Sequence, residues 1–201
     1  MKVTLLDYGA GNITSVVRAL QRLGADAHRS NSPECVVNAR AIILPGVGHY
    51  AALIRALDER ALRTPLLHAI QSGIPFLGVC LGLQALYGSS EEAPELTGLC
   101  LLPGSIRSLP SSVKLPHMGW NQLKLTSPSR LLEGISTDAY FYFAHSFAAT
   151  NANGEAVAIC NHGADFAAVI EKQNIFAVQF HPEKSGAAGA QLLQNFLRLA
   201  A

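Results

Sequence analysis

The chain has 201 residues, of which 49% are apolar and 14% charged, with a formal net charge of +1. That length suits a single domain spanning residues 1–201, and the apolar content excludes intrinsic disorder. The charge balance gives no electrostatic case for nucleic acid or an anionic membrane, and no apolar run is long enough to span a bilayer.

Four cysteines stand at 35, 80, 100 and 160, with no CxxC pair, so neither a zinc site nor a disulfide framework is indicated. The opening MKVTLLDYGAGN lacks the h-region and cleavage site of a signal peptide, and a reducing, cytoplasmic setting is expected. Charged residues are few against roughly 25% in an average soluble protein. A partner-covered surface and a compact alanine-rich composition both account for that.

Taken in chain order, VTLLD reads as a strand ending in the turn-like Tyr8-Gly9-Ala10-Gly11. Residues 12–23 place Ile13, Val16, Val17, Leu20 and Leu23 at helical spacing, with Gly24 as the stop. AIIL (41–44) is a buried-type strand broken by Pro45-Gly46-Val47-Gly48, and a helix follows over about 50–60. Thr64-Pro65 predicts an N-cap and first position for another helix, ending near Gly73. Pro75–Val79 is a strand running into Cys80, and a helix begins at about Leu81.

From Leu99 to Thr126 the pattern is strand-like and loop-rich. Ala139–Ala144, Glu155–Ile159, Phe166–Glu171 and Ile175–Phe180 read as further strands. Ser185 is placed to cap a final helix with Leu192, Leu193, Phe196 and Leu197 on its apolar face. Strands alternating with helices, then a strand-rich half, predict an α/β sheet with a parallel core and antiparallel additions.

Two motifs carry chemistry. Gly78-Val79-Cys80-Leu81-Gly82 matches a nucleophile elbow between a strand and a helix. There the nucleophile stands above the sheet's carboxyl edge, the Leu81 amide can donate to an oxyanion, and a helix N-terminus favours thiolate. A buried, inert cysteine between packing glycines is the competing reading of those residues alone. In Gln179-Phe180-His181-Pro182-Glu183-Lys184, proline favours extended backbone before it, so His181 and Glu183 are expected on one side, with the carboxylate orienting the imidazole. The Pro45–Gly48 loop can leave backbone amides free to face an anion, but lacks the GK[ST] of a P-loop; on the loop alone a plain strand-to-helix turn is the favoured reading. The Tyr140–Phe143 aromatics read mostly as core.

GVCLGLQ (78–84) together with QFHPE (179–183) resembles the triad-type, class I glutamine amidotransferases. With DYGAGN (7–12), LPGVG (44–48), HMGWN (117–121), YFAHSF (142–147) and QFHPEKSG (179–186), the whole chain is similar to the family of glutaminase subunits of imidazole glycerol phosphate synthase, from histidine biosynthesis. The resemblance implies a three-layer flavodoxin-like α/β fold with a mixed, mostly parallel sheet and no cofactor or metal. It implies a Cys80–His181–Glu183 triad that hydrolyses L-glutamine through a cysteine thioester. It implies an oxyanion hole from Val47, Gly48 and Leu81, and a glutamine pocket lined by Gln84, His145, Ser146 and Phe147.

The family's partner is a (β/α)8-barrel cyclase/synthase subunit that receives the ammonia in a heterodimer. Asn12, Trp120, Tyr140 and Lys184 match the partner-facing side. Phe147 stands where tyrosine is common in the family and Ala144 where a larger apolar residue is common, so a hydroxyl contact at 147 is not implied. A cysteine peptidase or γ-glutamyl hydrolase of the same architecture, and a non-catalytic scaffold, remain the competing classes.

Overall fold

The computed structural model describes residues 1–9, 12–150 and 154–201. Of the expected Tyr8–Gly11 turn, Ala10 and Gly11 lie outside the described residues. The first half alternates strands and helices: β1 (Lys2–Leu6), α1 (Ile13–Arg22), β2 (Asp26–Ser30), α2 (Pro33–Val37), β3 (Ile42–Gly46), α3 (Tyr50–Glu59), α4 (Arg63–Gln71), β4 (Phe76–Cys80) and the single turn α5 (Leu81–Gln84). The second half is mostly strand: β5 (Arg107–Ser108), β6 (His117–Gln122), β7 (Lys124–Leu125), β8 (Tyr140–His145), β9 (Phe147–Ala148), β10 (Ala156–Asn161), β11 (Asp165–Lys172) and β12 (Ile175–Val178). It closes on a 3-10 turn (Pro182–Lys184) and α6 (Gly186–Leu199).

The main sheet has the order β2-β1-β3-β4-β12-β11-β10-β7. Its first five strands are parallel, and β11, β10 and β7 add antiparallel at one edge. This is the flavodoxin-like winding, in which ligands bind outside the carboxyl ends of the parallel strands. The central strands are buried on both faces, so they read as unbroken apolar runs. In β3, Ile42 and Leu44 join the core beneath α2, α3 and α4, while Ile43 joins the core beneath α1 and α6. Two-stranded ribbons, β5–β9 and β6–β8, lie outside the main sheet. Among the described residues no helix is long and apolar enough to cross a membrane.

Gly24 ends α1 as expected, at φ 80°: its N–H reaches Gln21 O at 3.0 Å and the Ala25 N–H reaches Leu20 O at 3.1 Å, satisfying two orphan carbonyls. Other expectations need correction. The helix assigned to Thr64-Pro65 starts at Arg63 with Leu62 as its cap, so Pro65 sits third in the helix. That position is still in the first turn, where a missing N–H costs no intrahelical bond. The β2 strand and the α2 helix are not among the expected elements; Ser32-Pro33-Glu34 carries the cap-and-proline signature of a helix start for α2, whereas β2 is an edge strand with only one well-buried residue, Ala27.

Ser185 occupies the N-cap of α6 but makes no capping bond. Its hydroxyl instead donates to His181 O at 2.7 Å and accepts from Tyr142 N–H at 3.0 Å. The His181 N–H donates to Tyr142 O at 2.9 Å. These bonds tie the His-Pro turn to β8 before the helix begins.

Candidate active site

Cys80 ends β4 at φ 54° and ψ −105°, a conformation that a residue with a Cβ rarely adopts. The cysteine itself takes the strained dihedral, and the flanking glycines permit close approach. A Cβ on Gly82 would lie 1.9 Å from Leu44 O, and one on Gly78 would lie 2.6 Å from Gly82 O. The elbow therefore packs backbone on backbone against β3, and holds the cysteine only 4% exposed at the sheet's carboxyl edge. The Leu81 N–H follows at the first position of α5, where no intrahelical acceptor exists.

His181 and Glu183 meet as expected, with Nδ1 and Oε1 3.0 Å apart, but not on extended backbone. His181 is extended (φ −100°, ψ 96°), and Pro182 then opens the 3-10 turn that carries Glu183 beneath the ring. Because a carboxylate accepts, Nδ1 carries the proton and Nε2 is left for the Cys80 side. Burial opposes charge on the imidazole, yet hydrogen bonding to Cys80 and Glu183, with the negative charge of both, pushes His181 up to about 10.

Asn12, expected at the partner face, donates from Nδ2 to Glu183 Oε1 at 2.7 Å and is partly exposed. Its left-handed backbone (φ 73°) leads α1 without a side-chain cap, the amide being used on the Glu183 carboxylate. Glu183 Oε2 is buried without a partner among the described residues.

One cavity collects Val47, Gly48, Cys80, Leu81, Gln84, Glu92, Ala144, His145, Ser146, Phe147, His181 and Lys184. Every oxyanion and glutamine-binding residue expected from the sequence is among them. Glu92 is an addition. Its Oε2 accepts from the Tyr50 N–H at 2.8 Å, so the first amide of α3 anchors a carboxylate that faces the cavity. Nothing in Ser89–Glu92 marks it in sequence, because it stands in a loop with no periodicity.

The wall expected to hold an oxyanion is asymmetric. Val47, on the Pro45–Gly48 loop, donates its N–H to the Tyr8 hydroxyl at 3.1 Å, and the same hydroxyl reaches Val47 O at 3.4 Å. The Val47 amide is thus turned to Tyr8 rather than offered to a ligand. Burial pushes the Tyr8 phenol up to about 12, against the Val47 hydrogen bond and with the charges of Cys80 and Asp7 adding to it, so it stays a neutral hydroxyl.

Behind the cavity runs a buried polar chain whose direction is set by one carbonyl. Phe147 O can only accept. It accepts from Gln84 Nε2 at 2.7 Å and from His145 Nδ1 at 3.0 Å. A neutral His145 then has Nε2 as acceptor, filled by His117 Nδ1 at 3.1 Å, and His117 Nε2 accepts from Asn121 Nδ2 at 3.3 Å. Burial pushes His145 down to about 3, the Phe147 carbonyl opposing and the neighbouring histidines adding. Burial with His162 pushes His117 down to about 4. His145 therefore commits both ring nitrogens to the protein and lines the cavity only with its ring.

On the outer face of the β6–β8 ribbon, Met118, Trp120 and Tyr140 are each more than half exposed. The Lys184 ammonium lies 5.4 Å from the Tyr142 ring centroid on the same side, and Lys184 also lines the cavity. Trp120 and Lys184 thus flank the Tyr142 ring, with Tyr140 exposed on the same ribbon and Asn12 partly exposed.

Residues 4–200 match the family model described as glutamine amidotransferase class-I. The chain is 46% identical over 197 residues to the imidazole glycerol phosphate synthase subunit HisH of Methanothermobacter thermautotrophicus, covering 98% of each protein. It is 46% identical over 195 residues to the HisH subunit of Desulfitobacterium hafniense strain Y51, covering 96% of this chain and 92% of that protein. Among solved structures, a glutamine amidotransferase superposes with a TM-score of 0.79 at 21% identity over 98% of both chains. The chain belongs to the class I glutamine amidotransferase family, and within it to the glutaminase subunits of imidazole glycerol phosphate synthase.

Proposed function

We propose that residues 1–201 act as one amidotransferase domain, the glutaminase subunit of an imidazole glycerol phosphate synthase, with Cys80, His181 and Glu183 as its triad. The observation that carries this reading is the strained Cys80 elbow in one cavity with a glutamate-oriented His181. In outline, with the proton held on His181 Nε2, the Cys80 sulfur attacks the side-chain carbonyl carbon of glutamine as a thiolate. The tetrahedral oxyanion is held by the Leu81 amide and by the Val47–Gly48 loop once a loop amide faces it. The C–N bond breaks, His181 hands its proton to the departing ammonia, and a glutamyl thioester remains. Water, deprotonated by His181, attacks the thioester; glutamate leaves and the thiol is restored.

The other cavity groups suit the glutamine backbone. Glu92 offers a fixed carboxylate to the α-ammonium, and Ser146 and Phe147 line the same wall. Gln84 Oε1 is buried with no partner among the described residues, because both amide hydrogens point away, leaving an acceptor for the substrate.

The partner is a (β/α)8-barrel cyclase/synthase subunit docked as a heterodimer over Met118, Trp120, Tyr140 and Lys184. Ammonia passes through that contact instead of entering solvent, and the assembled complex is a lyase working in the cytoplasm. The exposed aromatics of the β6–β8 ribbon support this placement. The test is glutamine turnover with and without the barrel subunit and its nucleotide ligand. Slow turnover alone and a large rise in the complex are expected, with external ammonia still feeding the synthase reaction when Cys80 is blocked. Rapid, partner-independent cleavage of peptides would overturn the assignment.

A further inference from the structure

The polar chain has a second arm that ends on the nucleophile. Gln84 uses one amide hydrogen on Phe147 O, and its Nε2 also donates to Gln179 Oε1 at 3.2 Å. With its oxygen so occupied, the Gln179 amide has one orientation, which aims Nε2 at Cys80 Sγ at 3.5 Å. Flipping Gln179 would set two NH2 groups against each other and turn an oxygen lone pair on the sulfur. Gln179 is fully buried, does not line the cavity and makes no other side-chain hydrogen bond among the described residues.

We propose that Gln179 is a further catalytic residue of the glutaminase site, a neutral amide that donates to the Cys80 sulfur and stabilises its anionic form. The proposal rests on the reading of Cys80 as the nucleophile. A thiol accepts weakly, whereas a hydrogen bond to an ionised acceptor is about twice as strong as a neutral one. The Gln179 bond is therefore strongest while the proton sits on His181 and again when the thioester releases the sulfur, so it favours the anionic sulfur over the thiol and the thioester. Gln84 is the positioning residue that orients it. No atom is transferred: the amide keeps its hydrogens throughout.

Gln179→Met removes the donor while keeping an unbranched side chain of similar length. Two rates are measured in the complex: alkylation of Cys80 by iodoacetamide, located by peptide mapping across neutral to alkaline pH, and glutamine turnover. Alkylation near neutral pH is expected to fall about tenfold, the scale of one charge-assisted hydrogen bond, and to converge with the wild type at alkaline pH. Turnover should lose kcat by a similar factor with KM held. An unchanged alkylation profile, or a change confined to KM, overturns the proposal.

Should the variant not fold, side-chain amide NMR of the wild-type chain tests the same bond. The Gln179 Nε2 resonances should move with pH in the wild type and stay fixed in Cys80→Ala; no difference between the two overturns it. Retained turnover in Cys80→Ala would instead sink the nucleophile assignment itself, so the two failures are distinct.

Discussion

The two walls of the cavity proposed to hold glutamine are prepared to different degrees. On the triad wall every group is in place: Cys80 on its elbow, His181 on Glu183, and Glu183 braced by Asn12. On the opposite wall Leu81 stands ready while the Val47 amide is held by the Tyr8 hydroxyl. The nucleophile is fixed by β4 in the main sheet, and His181 and Glu183 by the turn after β12, which is tied to β8. The oxyanion donor sits on a loop whose amide can be satisfied by a side chain. Rigid elements thus supply the covalent chemistry, and a turnable peptide sets how well charge is stabilised.

Breaking the triad wall should cost most. Cys80→Ala should lower glutamine turnover by at least about 10⁴-fold, while ammonia-dependent synthesis by the complex persists. Glu183→Gln should lower it by roughly 10³- to 10⁴-fold, since the imidazole loses its counter-charge and an amide can turn its NH2 to Nδ1, which favours the wrong tautomer. Asn12→Ala removes one of two hydrogen bonds to the same carboxylate, and about a tenfold loss is expected.

The oxyanion wall should respond in the opposite sense. Tyr8→Phe releases the Val47 N–H, so partner-free turnover should rise by about tenfold, less than the roughly 10²- to 10³-fold that one fully placed oxyanion donor contributes. A fall would mean that Tyr8 positions the loop productively.

The smallest effect is on stability. His181 is raised in the folded state, so its charged form stabilises the fold. That contribution is full below the ordinary histidine value near 6.5 and is lost as pH rises towards about 10. In urea titrations the wild type should therefore lose more stability than His181→Asn between those limits.

Much of this is legible in the sequence. The elbow and His-Pro-Glu are readable because each needs particular residue types at fixed spacing, and the parallel core shows itself in apolar runs such as AIIL. What escapes depends on contacts between distant segments. Asn12 and Glu183 are 171 residues apart, and Gln179 and Cys80 are 99 apart, so no local pattern predicts either bond. Ser185 looks like a helix cap because its position is one, but two backbone groups of the His-Pro turn and β8 compete for its hydroxyl and win. Thr64-Pro65 misleads for a simpler reason: proline is tolerated throughout the first turn, so it marks a helix start only to within a residue or two.

The most direct measurement is to acid-quench the assembled enzyme during turnover of radiolabelled glutamine and map the labelled peptide. Label carried as a thioester on the Cys80 peptide, and absent from the His181→Asn enzyme, is the predicted result. Label on the peptides of Cys35, Cys100 or Cys160, or glutamate formed with no label trapped at Cys80 under any quench, would contradict it.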